Sequence, residues 1–254
     1  MGTQIFLGNP PTNVEQWIKN HYGPKCDALC FTAKYNNSTI QLTKLGSPDN
    51  INLQTSTNGS SWTPYNVEEF ITIPKAGGKV YFKAVGSNGS LASGNSDFHY
   101  FVTSDEFEAS GNVNSLLEED EETARTMSLE GKEFCYVYLF SGTSLTRAPE
   151  LPATTLANYC YEHMFEGCTS LTRAPELPAT TLANSCYNSM FYGCSNLNTI
   201  KLGYTGNFAD APSGAFNSWV YGVASSGTFY YNGSDTTTGE SAIPSGWTVT
   251  PFTS

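Results

Sequence analysis

The chain has 254 residues, of which only 14% are charged, and its formal net charge is −11. Its 12 basic residues are scattered, and this argues against nucleic acids and anionic membranes as partners, because both require clustered lysines and arginines. A disordered chain is also excluded, since 15 tyrosines and 15 phenylalanines provide material for hydrophobic cores.

The sequence predicts neither a membrane-spanning helix nor a signal peptide. No run approaches the length of apolar residues that a bilayer requires. The start, MGTQIFLGNPPTNVEQ, lacks the basic residues and the apolar stretch of a secretory signal. The abundance of Asn, Ser, Thr, Gly and Tyr is nevertheless typical of extracellular and virion surfaces, so we expect a protein that reaches the outside without an export signal.

Residues 1–25 are predicted to form a lead-in segment with one short helix. Thr12 and Glu15 have the spacing of a capping box, which satisfies the first N–H groups of a helix, and Gly23 with Pro24 would end it. The apolar side chains on one face of this helix are Val14, Trp17, Ile18 and Tyr22. This face either packs on the next part of the chain or docks into another protein. The second, an anchor to a partner, is the functional hypothesis that the predicted function uses.

Residues 26–110 alternate between apolar and polar positions, as short antiparallel strands do. The stretches ALCFTAKY and TIQLTKL flank NNS and predict a hairpin, and INLQTST and WTPY flank a turn at Asn58 and Gly59. FITIPKAGGKVYFKAVG predicts a strand, a turn and a strand, and DFHYFVTS predicts one more. Strands at this spacing predict an antiparallel β-sandwich, with Trp62 buried beside its turn.

Residues 111–200 are predicted to contain an acidic connector and a repeat array. The connector includes EEDEE at 118–122, for which we expect a solvated loop. A calcium loop is the alternative, but the spacing is not that of an EF-hand.

The repeat array is the strongest pattern in the sequence. SLTRAPELPATTLAN occurs at 144–158 and again at 170–184, and the alignment of 144–169 with 170–195 contains 21 identities in 26 positions. A period of 26 lies within the range of leucine-rich repeats. Because one unit cannot bury its own apolar face, neighbouring units are predicted to stack.

Each unit is predicted to combine a strand with a helix. The prolines of LTRAPELP favour a short strand. ATTLANYCYEHMFEGC is predicted to be a helix that Thr154 or Thr155 caps and that Gly167 ends. The side chains expected on its inner face are Leu156, Cys160, Met164 and Phe165.

Seven cysteines occur, at positions 26, 30, 135, 160, 168, 186 and 194. An odd number cannot pair completely within one chain, and no CxxC pair indicates a zinc site. We expect free thiols, although Cys26 and Cys30 are near enough in sequence for a small bridge. Stacked repeats predict two buried thiol ladders, Cys160 over Cys186 and Cys168 over Cys194.

Residues 201–254 are predicted to form a β-rich cap, since SGTFYYNG and IPSGWTVTPF have the pattern of strands separated by a polar loop. Together the segments predict a multidomain, β-rich chain with α/β repeats. Its order is a short N-terminal helix, an antiparallel β-sandwich, a short solenoid and the cap.

Several phrases resemble one protein family. MFEGCTSL and MFYGCSNL resemble the F-x-G-C-x-x-L core of the BspA-like leucine-rich-repeat proteins of gut and oral bacteria. APELPATTLAN is similar to a subfamily of gut Bacteroidales and their tailed phages, including crAss-like phages. GNVNSLL is similar to the segment that precedes such arrays, and SGTFYYNG with IPSGWTV to the module that follows them. The resemblance covers roughly residues 110–254 and implies a leucine-rich-repeat solenoid that serves adhesion, without fixing the ligand.

The family's bacterial members carry an export signal, which is not expected here. A phage protein needs none, because it folds in the host cytoplasm and is released by lysis. The alternative is a bacterial protein expressed without its signal.

No catalytic site is predicted. His21, His99 and His163 have no Cys, Asp or Glu partner at metal-ligand spacing, and neither a G-x-S-x-G elbow nor a phosphate loop occurs. We therefore predict no enzyme, no cofactor and no metal. The candidate recognition residues are instead the repeated charges Arg147, Glu150, Arg173 and Glu176.

These four residues are either a solvated ladder or a strip that recognises a host glycan or protein. Exposed tyrosines such as Tyr192 could stack on sugars.

The predicted function is a non-enzymatic structural or adhesion protein of a phage virion: a head fibre, a capsid decoration or a tail appendage. Other virion proteins are the expected partners of the N-terminus, homo-oligomers are expected, and membrane insertion is not. The alternative is a bacterial cell-surface adhesin or glycan-binding module.

Overall fold

The computed structural model describes residues 26–252. The predicted N-terminal helix and its anchor residues Val14, Trp17, Ile18 and Tyr22 lie outside the described residues. The described chain is β-rich, as predicted, with three sheets and one short α-helix. Its first ten strands are β1 Leu29–Ala33, β2 Ser38–Leu45, β3 Leu53–Ser56, β4 Thr63–Tyr65, β5 Ile71–Ile73, β6 Lys79–Ala84, β7 Ala92–Gly94, β8 Asp97–Thr103, β9 Phe107–Ser110 and β10 Leu145–Arg147.

Two of the sheets pack against each other. One has the strand order β10-β9-β1-β6-β3-β4, and the other has the order β5-β2-β8-β7. Alternate residues of β2 are buried, which is the period expected of a strand with one face in a core. Phe101 from the second sheet lies 4.7 Å from Phe31 and 5.2 Å from Phe82 of the first, measured between ring centroids. Aromatic rings therefore fill the space between the sheets.

The predicted pairing of β1 with β2 was wrong. Both strands exist, but β1 pairs with β6 and β9, whereas β2 pairs with β5 and β8 in the other sheet. The turn between them contains Asn37 with a φ of 59° and carries the chain from one sheet to the other. A hairpin would place Phe31 and Ile40 in the same sheet, whereas the crossover lets each sheet contribute one of these buried side chains to the core.

The strands on either side of the predicted Gly-Gly turn also do not pair with each other, since β5 and β6 lie in different sheets. The turn at Asn58 and Gly59 does join a hairpin, in which β3 pairs with β4. The Asn58 side chain accepts hydrogen bonds from the N–H groups of Ser60 and Ser61, and Gly59 adopts a φ of 74°. A local Asx turn therefore sets this connection.

The acidic connector is more ordered than the expected loop. A 3₁₀ helix, Val113–Leu116, is followed by the helix α1, Glu121–Thr126. Asp120 caps α1 by accepting a hydrogen bond of 2.9 Å from the N–H of Thr123. The acidic residues at 120–122 thus occupy the start of a helix, where negative charge is favourable to the helix dipole.

The predicted helices of the repeats were wrong. Every fourth residue has a positive φ, which no right-handed α-helix accommodates. These residues are Tyr159 (59°), His163 (55°) and Gly167 (71°) in the first unit, and Ser185 (53°), Ser189 (52°) and Gly193 (74°) in the second. Thr154 and Thr155 consequently cap no helix, and Gly167 is one of a series of left-handed positions.

Backbone hydrogen bonds explain this conformation, because alternate N–H groups point in two directions. One set bonds to the next unit: the N–H groups of Tyr161, His163 and Phe165 donate to the carbonyls of Cys186, Asn188 and Met190, at 3.1, 2.9 and 3.0 Å. The other set, Glu162, Met164 and Glu166, donates to the carbonyl three residues earlier. Since half of the donors serve the neighbouring unit, the i to i−4 pattern of a helix cannot form.

The same turns occur before and after the two repeats. Positive φ values recur at Phe134, Tyr138 and Gly142, and again at Gly214, Ser218 and Gly222. We call residues 131–252, in which these turns stack on one another, the coil stack. The residues expected on the inner face, Leu156, Cys160, Met164 and Phe165, are buried as predicted, although turns rather than a helix place them there.

Equivalent side chains of successive coils form ladders in the interior. Phe140, Phe165 and Phe191 stack at 5.3 and 5.7 Å, and Tyr136, Tyr161 and Tyr187 stack at 5.8 and 6.1 Å. These rings lie within 14° of parallel, because the coils repeat with nearly the same orientation. Each coil thus supplies the packing partner of the next.

The cysteines form ladders of the same kind. All seven are free thiols. Cys168 and Cys194 donate through Sγ to the carbonyls of Phe140 and Phe165, at 3.1 and 3.0 Å. Thr143 holds the corresponding place in the preceding coil, with its Oγ1 3.4 Å from the Sγ of Cys168.

Four strands of the coil stack form the third sheet, which is entirely parallel. They are β11 Arg173–Leu177, β12 Thr199–Leu202, β13 Thr228–Tyr231 and β14 Thr248–Thr250, and they neighbour one another in chain order. The last two belong to the predicted β-rich cap, which therefore extends the sheet of the repeats.

The coil stack and the sandwich share one hydrophobic core. Strand β10 pairs in parallel with β9 and so enters the sandwich sheet. Phe140 stacks on Phe101 at 5.6 Å and lies 6.1 Å from Phe31. Within residues 26–252, no helix has the length and apolar character needed to cross a membrane.

Candidate binding groove

The four charged residues predicted from the repeats lie around one groove. Arg147, Glu150, Arg173 and Glu176 are all exposed, and they line a space of about 730 Å³. The two walls are the two copies of TRAPELP, one from each repeat. The structure thus brings together residues that are 26 positions apart.

The groove exists because each copy of TRAPELP pairs with a strand on its far side and not with the other copy. Strand β10 bonds to β9, strand β11 bonds to β12, and no backbone hydrogen bond joins the described strands β10 and β11 to each other. Pro149 and Pro175 occupy matching positions in the walls and have no N–H to donate. Pairing resumes further along, where the N–H of Leu156 donates to the carbonyl of Thr181 at 3.0 Å. The groove is therefore a gap between two sheet edges.

The charges around the groove are only partly neutralised. Glu176 makes an ion pair with Lys201 at 3.1 Å, and the ammonium group of Lys201 also lies 4.7 Å from the centre of the Phe252 ring. Arg147, Arg173 and Glu150 make no ion pair within 4.0 Å in the described chain, although Arg147 lies opposite Glu108 in the sheet and helps to lower the pKa of that carboxyl. These three side chains are consequently available to a ligand.

A second depression, of about 740 Å³, adjoins the groove at Arg147 and Glu150. It lies over the six-stranded sheet and is lined further by Trp62, Lys79 and Tyr81. Trp62 was expected to be buried, but it is only half-buried. The ammonium group of Lys83 lies 4.7 Å from the centre of its ring. Burial raises the pKa of Tyr81 to about 12.

A third depression, of about 230 Å³, adjoins the groove at Arg173 and Glu176. Its other lining residues include Lys201, Tyr230 and Phe252. Sequence reasoning missed Lys79, Lys201 and the aromatic residues of both depressions. The alternation of exposed positions on β6, β12 and β13 is the sequence signal that could have indicated the lining residues of those strands. That these residues share one face of the molecule depends on the order of the strands.

Tyr192, expected to be an exposed tyrosine, is 38% exposed. Its ring stacks on Tyr221 at 4.7 Å, and Tyr221 is itself 46% exposed. Neither tyrosine lines the groove. The structure therefore separates this aromatic pair from the four charged residues.

The described histidines have ordinary structural surroundings. His99 is buried, its Nδ1 lies 2.8 Å from the carbonyl oxygen of Leu91, and burial lowers its pKa. His163 stacks on Tyr138 at 4.5 Å and lies 2.6 Å from the carboxylate of Glu166. Within residues 26–252, no three His, Cys, Asp or Glu side chains cluster in a way that could hold a metal ion.

Comparisons with protein-family models, with curated proteins and with solved structures found no match for this chain.

Proposed function

We propose that this protein is a non-enzymatic adhesion protein of a phage virion, displayed as a head fibre, a capsid decoration or a tail appendage. The observation that carries the binding role is the groove, in which two identical wall segments present two free arginines and a free glutamate to solvent. Exposed side chains without intramolecular partners lose no existing ion pair when a ligand binds, which favours recognition at this place.

The arrangement of the chain supports display. The sandwich has an aromatic core, and the coil stack continues from its sheet edge through β10. The 26-residue period and one parallel strand per coil also support our assignment of the coil stack to the leucine-rich-repeat solenoids of the BspA-like class. Display in several copies would strengthen weak contacts through avidity.

The adhesion role is tested with the full chain, carrying a fluorescent label, on cells of the host bacterium. We expect the Arg147→Ala/Arg173→Ala variant to bind at least about tenfold less, because each lost charged contact costs on the order of 1 kcal/mol or more. Lys44→Ala/Lys75→Ala is the matched control, since it removes the same charge from exposed positions away from the groove. Equal binding by both variants would refute adhesion through the groove.

The location is tested by mass spectrometry of purified particles produced from the genome that encodes the chain. Detection in particles at a constant ratio to the capsid protein supports the virion assignment. Detection only in the bacterial envelope would replace it with the alternative, a cell-surface adhesin or glycan-binding module.

A further inference from the structure

The groove and its two neighbouring depressions form one continuous track. The depression over the sandwich shares Arg147 and Glu150 with the groove, and the depression over the coil stack shares Arg173 and Glu176 with it. We call this track the strip. It runs from Trp62 at one end to Phe252 at the other.

The strip runs across strands, which sets its length. It passes over β6, β1, β9, β10, β11, β12 and β13 in that spatial order. Five of its six steps join hydrogen-bonded strands about 4.8 Å apart, and the sixth crosses the groove between β10 and β11, so the track is about 30 Å long or more. A ligand that fills it must therefore be long and extended.

The free charges on the strip have the opposite sign to the protein as a whole. Two of its carboxylates are already paired, Asp27 with Arg125 at 2.9 Å and Glu176 with Lys201 at 3.1 Å. The side chains of the described strip that remain without an ion pair are three cations and one carboxylate, namely Lys79, Arg147, Arg173 and Glu150. On a chain of net charge −11, this face is a local site of attraction for anions.

The ends of the strip carry aromatic rings. Trp62 and Tyr81 lie with Lys79 at one end, and Tyr230 and Phe252 lie beyond Arg173 at the other. None of these four rings is fully buried. Aromatic faces next to polar groups suit the alternating apolar and hydroxylated surface of a sugar ring.

We propose that the strip binds a linear acidic polysaccharide whose carboxylates contact Lys79, Arg147 and Arg173. The sugar hydroxyls donate to Glu150, and the rings at the two ends carry further sugar units. This inference rests on the proposed adhesion function and names the chemistry of its ligand. A nucleic acid fits less well, because three free cations are few for the dense charge of a polyphosphate.

The first test compares two polymers that differ only in charge. Polygalacturonate and its fully methyl-esterified form have the same backbone, and binding of the full chain is measured by isothermal titration calorimetry. We expect the acid form to bind at least about tenfold more tightly, and its affinity to fall as salt is raised. Equal affinity for the two polymers would refute the charge assignment.

The second test measures length. Arg147→Ala/Arg173→Ala is expected to weaken binding of a galacturonate trimer and a galacturonate dodecamer alike. Trp62→Ala and Lys79→Ala are expected to weaken the dodecamer only, because a trimer does not reach both the groove and the end of the strip. Lys44→Ala/Lys75→Ala should change neither, and an equal effect of Trp62→Ala on both lengths would show that the strip is not continuous.

Poly-glutamate distinguishes an acidic peptide from a polysaccharide. If poly-glutamate binds more tightly than polygalacturonate, the polysaccharide assignment fails and an acidic peptide replaces it. If the labelled chain binds host cells through Arg147 and Arg173 but binds no galacturonate polymer, the ligand assignment fails while the proposed function stands. Loss of cell binding in the control variant as well would instead count against the proposed function.

Discussion

At the scale of single residues, the left-handed backbone positions decide how each coil turns. Gly142, Gly167 and Gly193 hold matching places with φ of 68°, 71° and 74°. A Cβ on Gly167 would lie 3.8 Å from the Cα of Gly142, which is an ordinary contact. Glycine is therefore favoured at these positions because of the positive φ, and not because a side chain would be crowded.

Other left-handed positions carry large side chains, and each of these stacks on a partner in the next coil. Phe134 and Tyr159 stack at 4.6 Å, and Tyr138 and His163 stack at 4.5 Å. A left-handed non-glycine residue costs about 1–2 kcal/mol, and an aromatic pair contributes about 0.5–1.5 kcal/mol beyond its buried area. Because both residues of each pair are left-handed, the strain is about 2–4 kcal/mol per pair, and the stacking offsets only part of it.

Gly142→Ala tests the energetic cost of the left-handed backbone without adding a steric clash, since no atom lies within 4 Å of the new Cβ. We expect a loss of about 1 kcal/mol in the free energy of unfolding, measured by urea denaturation, because alanine is strained at positive φ. Gly89→Ala is the control: its Cβ also meets open space, but its φ is not left-handed. That variant should be neutral or more stable by about 0.5 kcal/mol. Equal effects at the two positions would contradict the argument.

At the scale of elements, the thiol ladders make stability depend on pH. Burial raises the pKa of Cys168 and of Cys186 to about 12, and it also raises those of Cys135, Cys160 and Cys194. A thiol in the unfolded chain ionises near pH 8.5. The raised pKa therefore contributes its full stability below about pH 8.5, and this contribution is lost as the pH rises toward the folded value.

We expect the free energy of unfolding to fall above about pH 9 by up to about 1.4 kcal/mol per pH unit for each buried thiol. The Cys168→Ala/Cys186→Ala variant should be less stable at neutral pH because it leaves cavities, but its alkaline slope should be shallower. Urea denaturation at several pH values between about 8 and 10.5 measures that slope. An unchanged slope would show that the thiols do not carry the effect.

At the scale of the whole molecule, the shared core couples the sandwich to the coil stack. Phe140 belongs to the coil stack, yet its ring packs on Phe31 and Phe101 of the sandwich. The side chain is fully buried. Neither part can expose this contact without uncovering apolar surface of the other.

Phe140→Ala is therefore expected to lower the stability of both parts together, by about 3–5 kcal/mol. Hydrogen exchange monitors β6 in the sandwich and β12 in the coil stack, and the protection of both strands should fall equally. Tyr221→Ala, which truncates a side chain that is 46% exposed, is the control and should cost under about 1 kcal/mol. Faster exchange in β12 alone would mean that the two parts unfold independently.

Periodicity was enough to predict the β-rich class, the stacking of the repeats and the burial of Leu156, Cys160, Met164 and Phe165. Those properties depend on which side chains avoid water, and that preference is local to each residue. The four charges of the groove could also be named in advance, because their repetition at matching positions is visible in the letters.

Other features depend on partners that are distant in sequence. The crossover of β1 and β2 between sheets and the turns at 153–168 both follow from hydrogen bonds to other segments, which outweigh local propensity. The groove arises from the outward pairing of β10 and β11, and the strip arises from the strand order that aligns Lys79, Arg147 and Arg173. Backbone donors and acceptors are alike at every residue, so only the assembled fold selects which strands they join.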